Sequence, residues 1–369
     1  MIENKEWLDD ESGSEGRMSQ LPNQKELPIN LLAACFNSTS ATYKYYWLLS
    51  ILQSVENGSM EISKKDLFAR MISNAWFTVN YFHVSFGKQD LIQEAIFALN
   101  EIEKIPIDEK RQFVFQKLST SSNVNTQKQL WHFNKNVPHW FLSPWFPKTK
   151  NETDSQQCKR IYSESKRFMK KCLYALYEDS ILINPEWKNY LTNNARVIKD
   201  FCYWNLSLFL QAKNPNVPDI PNKLIKPAQR GGLLKQRKHF WDLVFKELGS
   251  VSCIYTGEKL TIGNYAVEHF IPYNFVSHDL IWNLIPADKA FNCSKSDKLP
   301  PIEKYFNSFF ALQKTAIEIV KIQTPSNKLL EDYLTIFPDL NQSLSKERFL
   351  ERIQPLIIIA SNNGFEFLQ

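Results

Sequence analysis

The run Val267-Glu268-His269-Phe270-Ile271-Pro272 is followed by Asn283, 14 residues after His269, and by Asn292-Cys293-Ser294-Lys295, which begins 23 residues after it. Together these residues supply what hydrolysis of a phosphodiester needs. A carboxylate and an amide oxygen are ligands for a hard cation, an imidazole is a base for water, and an ammonium places positive charge near a phosphate.

The surrounding sequence must bring these side chains together. Tyr255-Thr256-Gly257-Glu258-Lys259 has the turn chemistry of a short hairpin, and 264–270 alternates with enough β-branched and aromatic character for a second strand. Glu268 and His269 then fall at a strand end, where neighbouring side chains ordinarily face opposite ways. Pro272 just beyond breaks the pleat and is expected to let the backbone turn both groups inward. Asp288 is expected to cap a helix that stops before Pro300. On that helix positions 288, 292 and 295 share one face, so Asn292 and Lys295 point the same way.

These residues resemble the HNH nucleases of the ββα-metal class. The spacing is especially similar to the HNH domain of RNA-guided CRISPR type II effectors, including the sequel Lys295-Ser296-Asp297-Lys298-Leu299-Pro300. The resemblance spans 253–300 and implies one Mg²⁺ or Mn²⁺ ion held by Glu268 and Asn292. It further implies His269 as general base, Asn283 as the brace of the loop that orients it, and Lys295 as a phosphate contact. Two departures stand out. The carboxylate is Glu rather than the frequent Asp, and only Cys253 and Cys293 stand where many relatives carry paired Cys-x-x-Cys motifs, so a structural zinc is not expected.

At 369 residues, with 43% apolar and 14% aromatic residues and only 10 glycines, the chain is expected to be mainly α and to divide into two or three domains. None of the six cysteines stands in a C-x-x-C pair, which points to reduced structural thiols. The first 20 residues are acidic and polar and read as a disordered tail, the reverse of a signal peptide. No apolar run reaches the roughly 18 residues of a membrane span, so no membrane association is expected and the cytoplasm is the default compartment.

A large helical region is expected over 21–213, with helices over 41–56, from Ser63 past Val79, over 90–103, 108–118, 162–177 and 187–211. Between Pro138 and Pro147 three prolines exclude a regular helix. His139, Trp140 and Trp145 in that aromatic loop either stack on bases or plug a helical core, the commoner outcome. Residues 214–222, with Pro215, Pro218 and Pro221, read as an extended linker. Residues 223–300 hold a basic segment and the nuclease module, and helical patterns over 301–369 are expected to pack on it.

The net charge of +5 says little, but Lys223, Lys226, Arg230, Lys235, Arg237 and Lys238 form a basic run without an acidic residue. That run either grips phosphates or is an ordinary solvated helix. His278 reads as a polar loop residue or, alternatively, a second metal ligand. The sequence therefore points to a metal-dependent endonuclease acting on nucleic acid, DNA more than RNA, in restriction or phage defence, with a protein partner or activator engaged through the helical region. The alternative is a nucleic-acid-binding or ligand-regulated effector whose HNH module is inactive or silent until triggered.

Overall fold

In the helix Tyr43–Glu56 every residue from Tyr45 to Leu52 is buried, and Lys64–Asn80 is buried almost all round. Helices without a polar face belong at the centre of a domain, and the computed structural model places these two against each other with Arg111–Thr120 and Ala195–Lys213 packed around them. It describes residues 21–225, 232–337, 339 and 344–369. The acidic tail, Lys226 and Arg230 lie outside the described residues. The fold is mainly helical, with small antiparallel sheets, the last two of them in a module near the carboxy-terminal end that helices flank.

Several expected elements take another form. The helix expected over 162–177 runs instead from Asp154 to Ser165, because Thr153 and Gln156 form a reciprocal capping box that starts it earlier. Phe168, Lys170 and Lys171 then adopt positive φ, which ends helical geometry. The apolar remainder becomes strand β2, Tyr174–Leu176, which joins β3, Ser180–Ile183, and the earlier β1, Glu61–Ser63, in a sheet of order β1-β3-β2. Ile62 opposes Ile181 and Ala175 opposes Leu182, so β3 is the central strand.

The aromatic loop does plug the core. Pro138 opens a short helix, Pro138–Phe141, and Phe141, Leu142, Trp145 and Phe146 have no exposed surface. Trp145 lies edge-on to Trp187 at 6.1 Å, so it presents no face to a base. Residues 214–222 are not an extended spacer. The buried Asn214 side chain accepts from Ser85 N and donates to Ser85 O and Leu210 O, while Val217 and Ile220 are buried and the helix Ile220–Ile225 packs on Lys64–Asn80 and Ala195–Lys213. One amide side chain that meets three backbone groups turns a proline-rich stretch into a folded corner.

The carboxy-terminal helices Ile302–Gln323 and Lys346–Asn362, with the 3-10 segment Lys328–Thr335 between them, enclose the module. Phe270, next to His269, stacks on Phe309 with ring centroids 3.9 Å apart and planes 4° from parallel. Leu299 forms a parallel bridge with Phe367, closed by Leu299 N to Glu366 O at 2.7 Å and Leu368 N to Leu299 O at 2.8 Å. Truncating Phe309 removes the ring that backs the site strand. Phe309→Ala is expected to lower stability by about 3–5 kcal/mol in urea unfolding, the usual range for a fully packed phenylalanine.

Candidate active site

Two strand pairs carry the site. β4, Val251–Ser252, pairs with β5, Lys259–Leu260, around a turn in which Gly257 takes a φ of 76°. β6, Ala266–His269, pairs not with this hairpin but with β7, Leu284–Ala287, with Glu268 opposite Ile285 and His269 opposite Leu284. The sequence reading expected only a loop there. Leu-Ile-Pro-Ala is buried throughout, which suits a short central strand without an alternating pattern.

Glu268 and His269 are both buried, at 5% and 1% exposure, and reach different partners. Glu268 Oε1 accepts from Lys295 Nζ at 2.8 Å, and the same ammonium donates to the His269 carbonyl at 2.9 Å. Lys295 has no exposed surface, so the expected phosphate contact is corrected to a structural role: it neutralises the carboxylate and ties helix to strand. His269 Nε2 lies 3.0 Å from Asp279 Oδ1, and its Nδ1 is buried with no protein partner.

Asn283 is fully buried. Its Oδ1 accepts from Ile271 N and its Nδ2 donates to Ile271 O, both at 2.8 Å, which clamps the chain just past His269. The clamp is held from outside. Gln313 Nε2 donates to Leu284 O at 2.7 Å, Ile281 N donates to Asp332 Oδ2 at 2.9 Å, and Trp282 Nε1 donates to Thr335 Oγ1 at 3.0 Å. Tyr333 in turn donates its hydroxyl to Gln313.

Asp288 caps the helix Lys289–Lys295 by accepting from Phe291 N at 2.8 Å, as its position predicts, and Ser296 ends it with a φ of 50°. Asn292 on that helix has a buried Oδ1 that meets no donor. Tyr255, stacked on Phe291 at 4.6 Å, has a buried hydroxyl without a partner, and burial, with Glu268 nearby, raises its pKa well above the usual phenol range.

A carboxylate and an orphaned amide oxygen on facing elements suit a hard cation. Among the described residues no group of three or more His, Cys, Asp or Glu side chains is placed to hold a metal. His278 is half-buried beside Trp282, and its Nδ1 accepts from Leu280 N at 3.4 Å. Burial, aided by His269 and Lys223, lowers its pKa to about 4.

The basic run does not form one solvated helix. Lys235 and Lys238 are exposed, while Arg237 is half-buried with its guanidinium 4.7 Å from the Tyr265 ring. Lys223 contradicts the phosphate-binding reading. It is fully buried, donates to Pro218 O and lies over Phe82, a position forced by the folded corner at 214–222.

Asp279 is the residue that sequence reasoning missed. A carboxylate ten positions after His269 and four before Asn283 is the available signal.

A family model described as HNH endonuclease matches residues 253–301, the segment that contains β5, the β6-β7 pair and the helix Lys289–Lys295. The match supports membership of this segment in the HNH superfamily and suggests a nuclease acting on nucleic acid. No curated protein and no solved structure gives a significant match. Among the described residues no helix is long and apolar enough to cross a membrane.

Two expectations follow from these contacts. Lys295→Met leaves Glu268 buried and uncompensated, and is expected to cost about 3–5 kcal/mol of stability by chemical denaturation. Burial pushes the Lys223 ammonium down to about 7, against its ordinary 10.5. Between those two values the unfolded chain binds more protons than the folded one, so stability attributable to Lys223 rises with pH. Below the lower value that contribution is lost. Unfolding free energies measured across this window should climb more steeply in the wild type than in Lys223→Met.

Proposed function

We propose that this protein is a metal-dependent endonuclease that hydrolyses phosphodiester bonds in nucleic acid, DNA in preference to RNA. The observation that carries the reading is a buried histidine with one unpartnered ring nitrogen, on the strand whose preceding carboxylate faces a helix bearing an orphaned amide oxygen. Glu268 and Asn292 would hold one Mg²⁺ or Mn²⁺ ion. Such an ion, when bound, supplies charge stabilisation at the phosphate and the leaving oxygen.

The remaining work belongs to the chain. His269 accepts a proton from the attacking water at Nδ1, the water oxygen bonds to phosphorus as the bond from phosphorus to the 3′ oxygen breaks, and solvent protonates that oxygen, giving a 5′ phosphate and a 3′ hydroxyl. Lys295 aims Glu268, and Asn283 keeps the backbone after His269 from shifting. Among the described residues of the basic run, Lys235 and Lys238 are exposed and free to meet a phosphate backbone. The module contacts backbone rather than bases, so target choice is assigned to the helical residues 21–213 or a protein partner they recruit, an arrangement suited to restriction or phage defence. The finer likeness to the HNH domain of RNA-guided effectors rests on spacing alone.

Plasmid and single-stranded DNA incubated with the full chain and Mg²⁺ or Mn²⁺ should be cut, and a chelator should stop the reaction. His269→Ala should slow cutting by roughly 10²–10⁴-fold, the usual worth of a positioned base. Equal rates for the two proteins would remove His269 from the chemistry.

A further inference from the structure

His269 has one partner that the reaction above leaves unused. Asp279 Oδ1 sits 3.0 Å from Nε2, whereas Nδ1 is buried and meets no protein donor or acceptor. A neutral imidazole carries its single proton on one nitrogen, and a carboxylate oxygen accepts a hydrogen bond rather than donating one. The contact therefore places the proton on Nε2 and leaves the lone pair on Nδ1.

We infer that Asp279 is a positioning residue, holding His269 in the tautomer and ring orientation whose Nδ1 takes the proton from water. The inference rests on the reading of His269 as the base and adds how that base is prepared.

The loop carrying Asp279 is built to hold one geometry. Ser277 closes the short helix Tyr273–Val276 with a φ of 57°. Two residues on, Gln236 Nε2 donates to the Asp279 carbonyl at 3.2 Å, and Asp332 accepts from Ile281 N at 2.9 Å. Backbone is thus fixed on both sides of the carboxylate. The Tyr273 ring lies 5.6 Å from the imidazole at 70°, which limits its rotation. The arrangement follows a general pattern in which a carboxylate orients a histidine through the nitrogen that does no chemistry. Gln236 belongs to the short helix Leu234–Gln236 just ahead of the module, so the segment that enters the nuclease also steadies its base.

The test reads the tautomer directly. Nitrogen-15 spectra of the His269 ring, taken on the full chain without metal or substrate near neutral pH, should show Nε2 protonated and Nδ1 bare. In Asp279→Ala the Nδ1-protonated form should appear, and single-turnover cleavage should fall roughly 10–100-fold, while Mn²⁺ affinity measured by titration stays the same. Asp279→Asn preserves the shape of the loop, and its amide can donate to Nε2, so it too should shift the tautomer and slow cutting.

Protonated Nδ1 in the wild type would overturn the inference without any variant. So would a variant that cuts at the wild-type rate, or one that slows with an unchanged tautomer, since that loss would report damage to the loop. Undiminished cutting by His269→Ala would instead defeat the assignment of the base, a separate result because the spectra need no catalysis.

Discussion

A lysine sealed from solvent beside an equally buried carboxylate is the constraint around which the site is organised. Lys295 and Glu268 cannot each be buried alone, since an isolated charge in a low-dielectric interior costs far more than the fold can spare. Their contact fixes the distance between the helix Lys289–Lys295 and β6, and the second bond from Lys295 to the His269 carbonyl fixes the strand end along its length. With side-chain exposures of 0% and 6%, the pair meets little water that could weaken it. The histidine and the orphaned oxygen of Asn292 take their places from that framework.

Much of the module was readable because its chemistry is local. Asp288 as a cap, a short helix, and Asn292 and Lys295 on one face follow from spacing and turn chemistry within a dozen residues. An amide suits two opposed backbone groups, and Asn283 meets both of those of Ile271. Lys295 was misread for a physical reason: sequence shows that a side chain is charged, whereas only the packing shows that it points inward. The same limit applies to Lys223, which a basic run made look exposed and a folded corner made internal.

Less of the remainder was legible, because it depends on contacts between distant segments. Tyr174–Leu176 has no helical or alternating signature of its own and becomes a strand only because Ser180–Ile183 pairs alongside it, itself held on its other edge by Glu61–Ser63. The proline-rich corner reads as extended until the Asn214 side chain meets Ser85, well over a hundred residues earlier. Asp279 belongs to the same class. Its partner is near in sequence, but the loop between them is shaped by Gln236 and Asp332, which no spacing rule connects to it.

The packed corner at Asn214, together with the rings of His83, Phe365 and Phe275 that meet between helical body and module, leaves the nuclease little room to sweep. A module on a loose tether samples a wide volume and cleaves wherever backbone drifts past. One seated against its neighbour behaves as a ruler. Under the function proposed above, a nucleic acid held by the helical body would be cut at a set distance from where it is held, and the pattern of fragment ends would carry the dimensions of the protein.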